Sequence, residues 1–119
     1  MVVLDFSNIE SKIDNNTILV SHAPPYGILD KTDVLDSNYK RKIDSIGNKN
    51  LLQLIVDKNP MYCLFGHVHE HFGVKENFIN GCWHLSRKMV SIDTSRKSIQ
   101  YISPKTVFNK IKEELFRIN

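Results

Sequence analysis

The chain has 119 residues, of which 41% are hydrophobic and 24% are charged, with a formal net charge of +3 at pH 7. This composition is ordinary for a folded domain and argues against intrinsic disorder, because disordered chains contain fewer apolar residues. The sequence contains no run of about 20 apolar residues, so we expect no membrane-spanning helix. The basic excess is small, so it permits nucleic-acid binding without requiring it.

The first residues and the two cysteines indicate the compartment. Residues 1–6 are too short and too acidic for a signal peptide, so we expect no export signal. Cys63 and Cys82 lie far apart, each within an apolar run, which favours buried thiols over a disulfide. Together these features predict a cytoplasmic protein.

Apolar runs predict two strands in the first quarter of the chain. Residues 2–4 have the composition of a short strand, and residues 17–21 read as a buried strand because they are β-branched and bounded by asparagines and prolines. The second run ends directly at His22. Residues 23–27 contain two consecutive prolines, which cannot continue a strand ladder, so they predict a loop.

The middle of the chain predicts a long loop, a helix and a buried strand. Residues 30–48 are polar and lack a clear period, which indicates a loop or lid. Residues 50–58 have leucines at helical spacing, with Asn48 or Asn50 as the N-cap. Residues 61–65 form another short apolar run typical of a buried strand.

The remaining sequence predicts strands followed by a helix. Residues 74–79 are expected to form a strand before the Asn-Gly turn at residues 80–81. Residues 88–93 and 98–102 read as a hairpin. Beyond Pro104, apolar residues recur at steps of three or four, which predicts an amphipathic helix.

This order of elements predicts an α/β or α+β fold. We expect a main domain over residues 1–103 and a tail helix over residues 104–119.

Three of the five histidines occupy positions typical of a metal site. His22 and His67 each follow a predicted strand, and ligands of α/β proteins bind at the carboxyl ends of strands. His67 and His69 are two residues apart, so they share a face of an extended segment. Imidazole suits Mn, Zn, Fe and Ni, so we predict that His22, His67 and His69 bind a divalent metal. His71 and His84 have no comparable support.

Two segments carry a resemblance to a known family. Residues 18–30, I-L-V-S-H-A-P-P-Y-G-I-L-D, closely resemble the S/T-H-A/G-P-P segment of calcineurin-like metallophosphoesterases. Residues 63–70, C-L-F-G-H-V-H-E, resemble the G-H-x-H segment of that family, and residues 78–81 are similar to the strand and turn that follow it. The ordered pair of motifs is more specific than either motif alone.

The resemblance implies a dinuclear metal centre that hydrolyses phosphomonoesters or phosphodiesters. One metal would be held by His22 and His67, and the other by His69. The implied fold is part of a metallophosphoesterase-type sandwich, with a mixed sheet and flanking helices. Four further residues are candidates for contacting substrate or shaping the adjacent loops: Pro24, Pro25, Tyr26 and Asn80.

The chain departs from the family pattern because the family's front half, with Asp-x-His, Gly-Asp and Asn-His segments, has no match. Asp5 lies in the wrong place for a ligand, and we expect Asp30 and Asp33 to cap or solvate the Pro-Pro loop. Adjacent dications need anionic ligands between them. We therefore expect weak or no activity in isolation. The chain would be one piece of a split enzyme that a separate amino-terminal-half chain completes, a shortened relic kept for binding, or a homodimer that covers its sheet edge and uses its histidines differently.

Two other classes of function remain open. The His67-Val68-His69 element is similar to the metal-binding pair of HUH endonucleases, which nick single-stranded DNA with a tyrosine. Phe108 and Lys112 have the spacing of that tyrosine and its lysine, but phenylalanine lacks the nucleophilic hydroxyl, and Tyr101 is the nearest alternative. The third class is a non-catalytic interaction module that uses the tail helix.

Overall fold

The computed structural model describes residues 6–117. The chain divides after Cys82 into two compact units. In chain order, the first unit contains α1 (Ser7–Glu10), β1 (Ile18–Val20), β2 (Lys31–Leu35), β3 (Arg41–Ser45), α2 (Lys49–Lys58), β4 (Tyr62–Phe65), a 3-10 turn (His69–His71), β5 (Gly73–Lys75) and β6 (Phe78–Asn80). The second contains α3 (Trp83–Ser86), β7 (Met89–Asp93), β8 (Ser98–Ile102) and α4 (Pro104–Arg117).

A four-stranded mixed sheet forms the centre of the first unit. Its strand order is β1-β4-β6-β5, in which β1, β4 and β6 are parallel and β5 is antiparallel to β6. The carboxyl ends of these three parallel strands therefore lie at the same end of the sheet. The molecule is a small mixed α/β protein with flanking helices, as the order of apolar runs predicts.

Helix α2 covers the sheet through one apolar face. Asn48 is its N-cap and accepts a hydrogen bond from the Leu51 amide, and Asn59 ends the helix in the left-handed conformation. The core cluster joins this face to the sheet and to the two residues that flank α1, Phe6 and Ile13. Its buried members are Ile13, Leu51, Leu54, Ile55 and Cys63, with Phe6, Leu19 and Phe78 packed against them.

The secondary-structure predictions for two segments are wrong. The expected loop or lid over residues 30–48 contains the antiparallel hairpin of β2 and β3. Exposure alternates along β2, but β3 is exposed from Arg41 to Asp44, so the hairpin as a whole shows no clear period of two. The expected single strand over residues 74–79 is the β5–β6 hairpin, which turns between Lys75 and Phe78.

Other predicted elements are confirmed. These include β1, α2, β4, the β7–β8 hairpin and the helix that begins at Pro104. The expected strand at residues 2–4 lies outside the described residues. Within residues 6–117, no helix is both long and apolar enough to cross a membrane.

Candidate metal centre

His22 and His67 lie side by side at the carboxyl ends of β1 and β4. The His22 Nε2 atom is 3.2 Å from the His67 Nδ1 atom, and the ring centroids are 4.9 Å apart. Backbone bonds extend the pairing of the two strands, because the Ser21 amide donates to the Leu64 carbonyl and the Gly66 amide donates to the His22 carbonyl. The predicted juxtaposition of these two strand-end histidines is confirmed.

The backbone at His67 adopts a conformation that few residues accept. Its φ is +69°, and the Val68 amide donates to the Gly66 carbonyl across it at 2.8 Å. A bond between residues two apart around a positive φ defines the strained form of the γ-turn. Such strain persists only where the surroundings enforce it, and it clusters at functional sites. Here the turn accompanies the close approach of the His67 ring to His22.

The distance between the two imidazole nitrogens fits a shared cation. Zinc–nitrogen bonds of about 2.0–2.1 Å at a tetrahedral angle separate two ligand nitrogens by about 3.3–3.4 Å. The observed 3.2 Å is close to that value. In the absence of a cation, the same contact is a hydrogen bond that requires one ring to donate and the other to accept.

His69 does not complete a three-residue ligand group in this structure. It opens the 3-10 turn that also contains His71. Among residues 6–117, no three His, Cys, Asp or Glu side chains are arranged so that they could hold one metal ion. The structure thus brings together two of the three predicted ligands.

The Pro-Pro loop after His22 is fixed against the start of α2. Pro24 and Pro25 are both fully buried. The Asn48 amide donates to the Pro24 carbonyl, and the Tyr26 amide donates to the Asn48 carbonyl. The Tyr26 ring is partly exposed, with the Lys49 ammonium 4.9 Å from its centroid. Of these loop residues, Tyr26 is the one that presents a side chain to solvent.

Asp30 braces the same loop from inside. The residue is 1% exposed, and its Oδ2 atom accepts hydrogen bonds of 2.8 Å from the Gly27 and Gly47 amides. Its Oδ1 atom is buried without a hydrogen-bond partner among the described residues. Asp30 thus caps the loop, as the sequence predicts, whereas Asp33 lies exposed on β2.

Asn80 ends β6 beside the two histidine-bearing strands and is completely buried. Its Nδ2 atom donates to the Val68 carbonyl at 2.8 Å and to the Leu29 carbonyl at 3.4 Å. Its Oδ1 atom accepts from the Cys82 amide at 3.1 Å. The side chain therefore bonds to both loops next to the histidine pair, a role that its position in an Asn-Gly pair does not reveal.

Cys82 and Glu70 border the His67 turn. The Cys82 Sγ atom would lie 3.3 Å from a Cβ atom at position 66, so Gly66 allows the close packing. Burial and the nearby Glu70 carboxylate raise the pKa of the Cys82 thiol, and a hydrogen bond with the His67 backbone partly opposes them. Thr32 donates to the Glu70 carboxylate, which joins the β2–β3 hairpin to the 3-10 turn. Cys63 and Cys82 form no disulfide, as predicted; Cys63 is buried, whereas Cys82 is only partly buried.

The nuclease alternative draws its metal-binding pair, His67 and His69, from the first unit and its candidate tyrosine and lysine positions from the second. Tyr101 is on β8, and Phe108 and Lys112 are on α4. The side chain of Phe108, like that of His84, falls outside the described part of the chain.

One curated relative matches this chain. It is a UPF0046 protein of Caenorhabditis elegans, 35% identical over 100 residues, which are 80% of this chain and 30% of the relative. The chain therefore spans less than a third of the length of the relative. No family model matches the chain, and no solved structure matches it.

Proposed function

We propose that the first unit is the carboxyl-terminal half of a calcineurin-like, metal-dependent phosphoesterase. The observation that carries the proposal is the 3.2 Å approach of His22 Nε2 to His67 Nδ1 at the ends of two parallel strands. The two motifs of the sequence meet there, although 45 residues separate the histidines. His69 follows His67 by two residues and is the third proposed ligand.

The histidine pair would hold a divalent cation such as Mn, Zn, Fe or Ni. Bound there, the cation would polarise a phosphoryl oxygen and acidify a water molecule. The chain's own contribution is to fix the two imidazoles through the β1–β4 ladder and the γ-turn at His67. Tyr26 lies on the adjacent loop and is the side chain that we propose contacts the phosphoester substrate.

The open edge of β1 is where we propose that a partner strand completes the site. Among the described strands, β1 pairs with β4 on one side and has no strand on the other. Val20 is 70% exposed and Ile18 is 42% exposed on this edge strand. An exposed apolar edge is a template for pairing with another strand. The partner would be a separate amino-terminal-half chain, which would supply the missing carboxylates, or a second copy, which would cover the edge of β1.

We propose the cytoplasm as the compartment. The absence of a disulfide between Cys63 and Cys82 is compatible with its reducing conditions.

The proposal is tested by titrating the chain with Zn²⁺ and, separately, with Mn²⁺, using isothermal titration calorimetry. We expect binding that His22→Ala and His67→Ala each weaken at least about tenfold, because each removes one ligand of the pair. His71→Ala is the matched control, since it removes an imidazole from the neighbouring turn. Equal affinity in the wild type and in His22→Ala would contradict the proposal.

Hydrolysis of an aryl phosphate in the presence of the bound metal provides the functional test. The chain alone is expected to be weakly active or inactive, and activity should rise on co-expression with the part of the UPF0046 relative that lies outside the matched region. Nicking of single-stranded DNA that appears only in Phe108→Tyr would instead favour the nuclease alternative.

A further inference from the structure

We infer that Asn80 is the positioning residue that holds His67 in register with His22. The inference rests on the proposed function for its metal-binding readout, but its geometric part concerns the metal-free chain. Asn80 is completely buried and makes three hydrogen bonds, all directed to backbone groups.

The shortest of these hydrogen bonds reaches the turn that carries His67. Val68 donates its amide to Gly66 across the turn, while its carbonyl accepts from Asn80 Nδ2 at 2.8 Å. Hydrogen bonds therefore hold both the amide and the carbonyl of Val68, the residue that follows His67. A γ-turn at φ +69° is strained and needs external support. The buried amide of Asn80 provides that support from the neighbouring strand.

The second bond links the turn to the loop that follows His22. The same Nδ2 group donates to the Leu29 carbonyl, and the next residue, Asp30, binds the amides of Gly27 and Gly47. One amide group thus connects the segment after β1 to the segment after β4. His22 lies near the start of the first segment and His67 near the start of the second. The relative position of the two rings therefore depends on this connection.

The orientation of the Asn80 amide follows from its partners. Its nitrogen faces two carbonyl oxygens and its oxygen faces the Cys82 amide, so rotating the group by 180° would place like dipoles against each other. A carboxylate at this position could accept from Cys82 but could not donate to Val68 or Leu29. Asn80→Asp therefore removes the positioning bonds while preserving the size of the side chain.

Asn77 offers a matched control. Its Nδ2 atom also donates to two backbone carbonyls, those of Pro60 and Met61, at the opposite end of the neighbouring strands. Asn77→Ala removes the same kind of bonds without touching the segments that carry the histidines. If Asn80 had a purely structural role, variants at Asn80 and Asn77 would have the same effect on the histidine ring resonances and on Zn²⁺ affinity.

The experiment compares the wild type with Asn80→Ser, Asn80→Asp and Asn77→Ala by NMR of ¹⁵N-labelled histidine rings in metal-free protein and by Zn²⁺ titration. Asn80→Ser introduces no buried charge and serves if Asn80→Asp does not fold. We expect the His22 and His67 ring resonances to shift in the Asn80 variants and Zn²⁺ affinity to fall about 10- to 100-fold. Asn77→Ala should lower thermal stability while leaving the ring resonances and the affinity near wild type.

The possible outcomes separate the two proposals. Unchanged His22 and His67 resonances in a folded Asn80 variant would overturn the positioning role, as would equal shifts in Asn77→Ala. The resonances could also shift in the Asn80 variants while the wild-type chain binds neither Zn²⁺ nor Mn²⁺. That result would support the positioning role and overturn the proposed metal site.

Discussion

Buried polar residues organise the surroundings of the histidine pair at the scale of single residues. Asp30 and Asn80 are almost entirely excluded from solvent, and each bonds to backbone groups of two different segments. A buried polar group is tolerated when its hydrogen bonds are made, and removing it leaves its partners unsatisfied. The stability of the fold therefore depends on the hydrogen bonds of these two buried side chains.

Removal of the Asp30 carboxylate should destabilise the chain. In Asp30→Ala the amides of Gly27 and Gly47 lose their acceptor in a buried environment, which costs about 2–4 kcal/mol. Urea unfolding followed by circular dichroism measures the loss. Asp33→Ala is the control, because that carboxylate is exposed on β2. A change below about 0.5 kcal/mol in Asp30→Ala would show that the bonds contribute nothing to stability.

Burial of Cys63 predicts a loss of stability at high pH. Burial raises the pKa of the Cys63 thiol from its ordinary value of 9.0 to about 11. Between these values the unfolded chain has lost a proton that the folded chain retains, so the free energy of unfolding falls as pH rises. The contribution is present below pH 9 and is lost as pH rises through about 11, and it amounts to at most about 3 kcal/mol.

The measurement is the difference in unfolding free energy between wild type and Cys63→Ala at several pH values. The advantage of the wild type should shrink from pH 9 to pH 11, since the variant lacks the thiol. A difference that stays constant over this range would contradict the predicted shift.

At the scale of elements, the approach of two loops at the start of α2 decides where His22 and its loop lie. The Pro-Pro loop runs beside residues 47–48 and forms a parallel bridge between Pro25 and Asn48. This contact requires a residue without a side chain at position 47. It joins the end of the β2–β3 hairpin and the N-cap of α2 to the loop that follows β1.

Gly47→Ala should therefore be strongly destabilising. The added Cβ atom would lie 2.4 Å from the Pro25 carbonyl oxygen, a distance that only backbone movement can relieve. We expect a loss of about 3 kcal/mol, at the upper end of typical overpacking effects. Gly81→Ala is the control, since its nearest neighbour would be 4.0 Å away. Equal thermal stability of both variants would show that the loops separate at little cost.

At the scale of the whole molecule, the described core belongs to the first unit. Among the side chains that the structure describes, the buried hydrophobic residues lie between Ile13 and Ile79. Among the described strands, β1 has a neighbour on one side only, and the histidine pair lies at its carboxyl end. These features indicate that the first unit folds around its own core.

A chain that ends after Cys82 should fold and retain the histidine pair. The first unit contains the whole described core cluster and both His22 and His67. We expect a cooperative thermal transition and histidine ring resonances that match those of the full chain. Non-cooperative melting of the shortened chain would show that residues 83–119 are needed for folding of the first unit.

Much of the fold can be predicted from local patterns. The strands that end at Val20 and Phe65 are short apolar runs with clear boundaries, and α2 has both helical spacing and caps. The β2–β3 hairpin was missed because both of its faces carry charged or exposed residues, so no period of two stands out. Its strands are fixed by their pairing with each other, which a local pattern does not display.

The sequence by itself determined the candidate site residues His22 and His67, because each follows a buried strand and neighbouring parallel strands end at a common edge. The tertiary structure decided how they meet, through the γ-turn at His67 and the buried amide of Asn80. Among the described residues, His69 does not form a three-residue ligand group with the pair, and it begins a 3-10 turn instead of continuing an extended segment. Contacts between distant segments set these features, and residue type alone does not encode such contacts in a local pattern.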